Sequence, residues 1–355
     1  MEKKTIKLGL GSFDLAKGTA ILLVVLSHTP GHYDWSQSSA QQIISTISYV
    51  LGTGFLTAFF IISGMGLKIK NPKSMLKKSF TDLIVPYLWI AAAYAVVYPL
   101  VRFPMSGSWS VVLDQAARFV AAFLLGYAKY GKLIFGVQIF WCTAAWFLLA
   151  TFVAFNILNL ILHLKRQSLQ VLCVIACAVV GNLLFSMELF YFCIPQGLRA
   201  VGYLYIGYRM KRHCLVERLL KKVWVYLILI PFCLVQMKFG TLDNTVFVNV
   251  VLEYVGSAFS AIFFIFVFVY LGTFEFKGFG LVKLAGIYSY WILCLHSAEM
   301  DIIPWYLNAQ LFSGHPWWGL GMELFIKVWI YILGCMLLKR ISKRKYRRRQ
   351  ALNGK

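Results

Sequence analysis

Three ionisable residues stand inside an apolar stretch of this 355-residue chain, "FDLAKGTAILLVVLSHT" at 13–29: Asp14, Lys17 and His28. Histidine is the side chain suited to moving a proton near neutral pH. Asp14 and Lys17 lie at i,i+3, where opposite charges on a helix pair. Lys17 and His28 are 11 residues apart. At 3.6 residues per turn they share one helix face, roughly 16 Å apart along the axis. An imidazole then sits about half a bilayer core away from a charge pair. Ionisable groups at that depth mark proton relays and substrate paths. The plainer alternative is that Lys17 snorkels to the headgroups and His28 caps a helix or bonds a neighbour.

Other polar residues recur in apolar surroundings. His296 precedes Glu299 and Asp301. It reads either as part of an outer mouth that positions a polar substrate, or as a helix-end histidine bonded to backbone. Glu323 and Lys327 lie at i,i+4, acidic residue first, the favourable order, and read as a structural pair. Glu253 stands as a lone carboxylate with no partner evident in the sequence. His32, His163, His213 and His315 fall at expected interfaces. Trp35, Trp109, Trp305, Trp317 and Trp318 fall near outer helix ends and read first as an aromatic belt. Ser63 and Gly64 would let two helices pack closely. The eight cysteines form no CxxC and no zinc spacing, so neither a structural metal nor a required disulfide is expected.

The elements that must position these groups are membrane helices. Hydrophobic residues make up 60% of the chain and charged ones 14%, and the mean hydropathy is +0.73. Soluble domains carry about 25% charge. The expected fold is an all-α polytopic bundle of ten spans in a single domain, 1–355. Their expected ranges are Phe13–Pro30, Ile43–Leu67, Leu83–Val101, Trp141–Leu162, Ser168–Phe185, Gln196–Tyr208, Val223–Met237, Phe247–Leu271, Leu284–Tyr306 and Trp317–Leu338. A shorter helix is expected at Asp114–Tyr127, within an outer segment 102–140. The first stretch runs on into "SHTPGH" without a small-residue cleavage pattern, so it is not read as a cleavable signal.

The net charge of +22 is distributed in short clusters between the apolar runs. Lys and Arg number three in 1–12, five in 68–80, two in 163–168, six in 209–223, two in 273–283 and nine in 339–355. The segments on the other side hold only Arg102, Arg118, Lys129, Lys132, Arg199 and Lys238. This is the positive-inside pattern, with both termini cytoplasmic. It argues against nucleic acid as a partner. The tail "KRISKRKYRRRQ" also suits anionic lipid.

Several motifs, in order along the chain, resemble the acyltransferase-3 family of membrane acyltransferases. "DLAKGTAILLVVLSHT" resembles its first helix, in which a basic residue and a histidine flank ten others. Lysine occupies the first place here, where arginine is common, and lysine lacks the bidentate fork. The D-x-x-K-G form resembles the fucose 4-O-acetylase-like branch. "FFIISGMGL" (59–67), "MLKKSFTDLIVPYLWI" (75–90), "WFLLA" (146–150), "YLYIGYRMKR" (203–212) and "SYWILCLHS" (289–297) resemble later elements.

The resemblance implies transfer of an acyl group, usually acetyl from acetyl-CoA, to a hydroxyl of an envelope or exported carbohydrate or of its lipid-linked precursor. No bound cofactor is expected. In such a reaction His28 would be the general base, or a transient acyl carrier, with Lys17 and Asp14 below it on the same path. Lys68, Lys70, Lys77, Lys78, Arg209, Lys211 and Arg212 would meet the phosphates of the donor, although the positive-inside rule alone would put basic residues there. No glycine-rich phosphate loop accompanies them. His296, Glu299, Trp146 and Arg199 would serve the acceptor side. The alternative is a transporter or ligand-recognition module that consumes no acetyl-CoA.

Overall fold

The computed structural model describes residues 11–35, 55–129, 131–134, 136–239, 247–274 and 276–353, with side chains apart from those of 235–239, 247–250, 338, 339 and 341–353. The structure is almost entirely helical. The helices are α1 (Asp14–His28), α2 (Phe55–Met65), α3 (Pro72–Ser79), α4 (Val85–Ser106), α5 (Trp109–Leu125), α6 (Trp146–Leu162), α7 (Gln167–Ser186), α8 (Ile194–Arg212), α9 (Leu215–Leu219), α10 (Val223–Phe239), α11 (Phe247–Leu271), α12 (Phe279–Ile287), α13 (Ser289–Ile302), α14 (Trp305–Leu311) and α15 (Pro316–Asn353). A two-stranded hairpin, β1 (Leu133–Ile134) with β2 (Val137–Gln138), pairs Leu133 with Gln138.

Five helical segments are long and apolar enough to cross a membrane: Pro72–Ser106, Thr143–Leu162, Gln167–Ser186, Val251–Leu271 and Pro316–Leu337. The bent pair α12–α13 makes a sixth. The other expected spans are shorter or carry charge. α1 has 15 residues and holds Asp14 and Lys17. α8 ends in Arg209, Lys211 and Arg212, and the apolar part of α10 is Val223–Leu234. Residues 43–54 of the second expected span lie outside the described residues.

Membrane helices turn their large apolar side chains outward and their small or polar ones inward. Leu172, Ile175 and Leu183 of α7 are exposed, as are Trp318, Phe325 and Leu333 of α15. Glu323 and Lys327 of the same α15 are buried. Within the bundle, α13 packs against α4, α15, α1 and the 3-10 turn Thr143–Ala145. It is the element around which the polar residues collect.

Glycines set the closest helix crossings. A Cβ on Gly18 would run into the backbone of Val282 and Gly286, and one on Gly286 into that of Asp14 and Gly18. α1 and α12 therefore touch backbone to backbone, which bulkier residues forbid. Gly64 and Gly207 meet the backbones of Leu204 and Ile61 in the same way, joining α2 to α8. This is the close packing expected at Gly64.

Two expected boundaries change. The single helix at Leu284–Tyr306 is broken: α12 and α13 meet at a bend of 78°. It also stops at Ile302, because Pro304 holds Ile303 extended (ψ 131°). Part of the basic stretch 68–80 is helical. Asn71 caps α3 by accepting from the Lys73 N–H, with Pro72 at the first helical position. The final helix runs well past Leu338, to Asn353.

Candidate active site

α1 meets both halves of the bent α12–α13 segment. Gly18 lies against Gly286, and ten residues further along each segment His28 lies against His296. Their ring centroids are 5.4 Å apart. His28 is half-buried at the last turn of α1, and among the described residues nothing hydrogen-bonds its ring. His296 is fully buried.

His296 is held by Glu299, one turn on in α13. Nδ1 of His296 lies 2.7 Å from Glu299 Oε1. The Tyr331 hydroxyl donates to the same oxygen at 3.1 Å. Trp305 Nε1 donates to Glu299 Oε2 at 2.5 Å. With Nδ1 turned to the carboxylate, Nε2 of His296 is buried and has no partner among the described residues. Buried polar atoms are nearly always hydrogen-bonded, and an orphan at a reaction centre calls for an explanation.

Below this pair the charges continue into α15. Lys327 Nζ lies 3.4 Å from Glu299 and 2.8 Å from Glu323. It also donates to Thr29 Oγ1 at 3.2 Å and lies 5.1 Å from the Trp305 ring. Glu323 accepts from Tyr33 OH at 2.9 Å and faces His32 Nδ1 at 2.9 Å. Asn308 Nδ2 donates to Tyr33 OH at 2.5 Å. Burial, with Glu323 beside it, raises the Tyr33 phenol above its ordinary pKa, so it stays a donor.

The sequence therefore marked His28, the His296–Glu299 group and the Glu323–Lys327 pair apart from one another, and the fold brings them into one cluster. Two expectations are corrected. Trp305 and Trp35 do not form an interfacial belt: both are buried, with Trp305 on Glu299 and Trp35 donating to the Pro30 carbonyl. Trp109, Trp317 and Trp318 are exposed. His32 is not simply interfacial, since it joins Glu323. Tyr331, Thr29, Tyr33 and Asn308 were not singled out in the sequence. Tyr331 could have been, because Glu323, Lys327 and Tyr331 recur every four residues and so form one stripe.

Lys17 and Asp14 are not part of this cluster. They pair with each other at 2.6 Å, about three turns down α1 from His28. Glu253 is not a lone carboxylate either. Arg199 Nη2 reaches it at 3.4 Å inside the bundle and stacks 4.5 Å from the Phe185 ring. Trp146 packs edge-on against Phe147 at 6.0 Å. Among the described residues, no contact ties Arg199 or Trp146 to the histidine pair. Asp301 points elsewhere, accepting from Trp141 Nε1 at 3.2 Å. Arg102 donates to the Asp301 carbonyl at 2.5 Å.

The basic residues divide into paired and unpaired. Lys78 pairs with Asp82, Lys211 lies 3.7 Å from Glu217, and Arg209 lies 2.9 Å from His213 Nε2. Lys70 is fixed by its backbone, which Asn159 bonds on both sides. Lys68, Lys77 and Arg212 are exposed and have no ion pair among the described residues. No group of three His, Cys, Asp or Glu arranged to hold a metal occurs among the described residues.

A family model described as an acyltransferase domain matches residues 10–340. The chain belongs to the acyltransferase-3 family. No curated protein and no solved structure matches it. This acyltransferase-3 protein is thus a membrane acyltransferase whose first-helix histidine, His28, sits beside a second imidazole supplied by α13.

Proposed function

We propose that the protein transfers an acetyl group from acetyl-CoA to a hydroxyl of a cell-surface or lipid-linked carbohydrate, with His28 as general base. The carrying observation is the His28–His296 pair: a half-buried imidazole, free of hydrogen bonds within the described protein, beside a second imidazole fixed by a carboxylate. Such a ring is available to take the proton of an acceptor hydroxyl as the oxygen attacks the thioester carbonyl. The thioester C–S bond then breaks, and the CoA thiolate leaves and takes up a proton.

The charge distribution of the sequence supports a topology with both termini in the cytoplasm. Lys68, Lys77 and Arg212 then lie on the side where acetyl-CoA arrives, and their charges suit its phosphates. Lys70, Lys78, Arg209 and Lys211 flank them. On the other side, the acceptor approaches past the C-terminal end of α13. There Asp301, Arg102 and Trp141, together with the ring of Tyr306 5.4 Å from the Arg102 guanidinium, combine the hydrogen-bonding and flat apolar faces that a sugar takes up. His296 and Glu299 complete the acceptor side. Lys17 and Asp14 line the opposite end of α1.

The test is transfer of label from acetyl-labelled acetyl-CoA by purified protein in nanodiscs, offered a mixture of methyl glycosides and extracted membrane glycolipids. Release of free CoA with a labelled ester, both lost in His28→Ala, supports the reading. If CoA is never released with any acceptor, acyl transfer is the wrong activity and a transport or recognition role takes its place.

A further inference from the structure

The buried polar cluster does more than hold α13 to α15. Its members form an unbroken file from the reaction centre to the surface. The first link is His296 Nδ1 to Glu299 at 2.7 Å. The next are Glu299 to Lys327 at 3.4 Å, Lys327 to Glu323 at 2.8 Å, and Glu323 to His32 Nδ1 at 2.9 Å. The side chains of His296, Glu299, Lys327 and Glu323 are at most 3% exposed, whereas His32 is 27% exposed. Among the described residues the file has one exposed end, His32, which is the last residue of the Pro30–His32 turn that follows α1.

The charges do not balance within the file. Two carboxylates face one ammonium, and burying an uncompensated charge is costly. One more positive charge completes the cluster. A proton on His296 supplies it at one end, and a proton on His32 supplies it at the other. The neighbouring groups, Thr29, Tyr33, Tyr331, Trp305 and Asn308, are neutral hydrogen-bonding partners. The cluster is therefore built around a proton that has two places to sit, one beside His28 and one at the surface.

We propose that this file is the proton exit of the acyl transfer, with His32 its terminal donor to water. The inference rests on the acyltransfer reading above. His28 takes the hydroxyl proton. His296 Nε2, which has no hydrogen-bond partner among the described residues, accepts it from the neighbouring ring. The Nδ1–H proton of His296 then passes to Glu299, Glu299 gives its proton to Lys327 as Lys327 gives one to Glu323, and Glu323 gives one to His32 Nδ1. Each link loses one proton and gains one, so His28 returns to its starting state and one proton leaves at His32, while the departing thiolate takes its proton from water on the donor side. His296 and His32 end as the opposite ring tautomers, and a flip of each ring resets them before the next turnover. His296, Glu299, Lys327, Glu323 and His32 act through His28 and are positioning residues for its turnover.

The experiment compares wild type with His32→Ala and His32→Asn in nanodiscs, at saturating acetyl-CoA and acceptor. It follows CoA release with and without added imidazole, and in H2O against D2O. Both variants should keep the thermal transition of the wild type. Their kcat should fall on the order of tenfold or more, as expected for loss of a proton-transfer group, with KM for acetyl-CoA unchanged. Millimolar imidazole should restore the rate, and the solvent isotope effect should grow in the variants. A structural role for His32 predicts a lowered thermal transition and no rescue, and that result overturns the path. Variants that turn over at the wild-type rate overturn it as well. A wild type that releases no CoA overturns the acyltransfer reading itself.

Discussion

Gly18 and Gly286 touch backbone to backbone, and this contact governs how His28 meets His296. Each histidine lies ten residues beyond its glycine, and the two rings end 5.4 Å apart. The D-x-x-K-G motif thus contains a crossing residue as well as its charge pair.

Widening that crossing should separate the histidines. Gly18→Val and Gly286→Val should each lower stability by about 1–3 kcal/mol, as overpacking does, and should lower turnover more than they weaken acetyl-CoA binding. Thermal unfolding in detergent beside steady-state kinetics checks both. Full activity in either variant would mean that the crossing does not set the site.

His28→Ala should lower kcat by about 10²- to 10⁴-fold, the usual contribution of general base catalysis. The ring is half-buried at a helix end and bonds nothing in the described protein, so its removal should leave the thermal transition nearly unchanged. Near-normal activity would remove His28 from the chemistry.

The buried ion pair on α15 gives a non-additive series. Lys327→Met should cost about 3–5 kcal/mol, because it leaves two buried carboxylates without their ammonium, whereas Glu323→Gln should cost less, because Lys327 keeps Glu299 as its partner. The double variant should cost less than the sum of the two. Unfolding midpoints of the four proteins decide this, and strict additivity would contradict a direct Glu323–Lys327 interaction.

Lys17 stands apart from the histidines and pairs with Asp14 at 2.6 Å. Lys17→Arg keeps the charge and should preserve more activity than Lys17→Ala. Equal losses in a transfer assay would rule out a role that depends on charge.

Donor binding should depend on the unpaired cations. Combining Lys68→Glu, Lys77→Glu and Arg212→Glu should raise KM for acetyl-CoA while kcat holds. The shift should shrink at higher salt, because exposed charges are screened within about 10 Å at 0.1 M. An unchanged KM would leave these residues with only their topological role.

The apolar helices were legible in the sequence because lipid imposes length and hydropathy. The expected Phe247–Leu271 helix has the same ends as α11. The broken segment was harder to read. Nothing in "LAGIYSYWIL" forbids a continuous helix, and the bend at Tyr288 accompanies the seating of Gly286 on α1. Individual site residues were visible as intramembrane ionisable groups. Their convergence was not, since His28, His296 and Glu323 come from three distant segments. The Arg199–Glu253 pair was missed for the same reason: its partners lie 54 residues apart. Trp305 was misread because position near a helix end does not distinguish a belt tryptophan from one folded back on a carboxylate.

The last helix extends 38 residues without a break. That is roughly 57 Å at 1.5 Å per residue, nearly twice the ~30 Å of a hydrocarbon core. Its first half carries Glu323, Lys327 and Tyr331, and its far end carries eight Lys and Arg, from Lys339 to Arg349. A continuous rod transmits axial position. Any force that shifts the basic end along the helix axis therefore also shifts the height of Lys327 inside the bundle, much as a keel holds a mast.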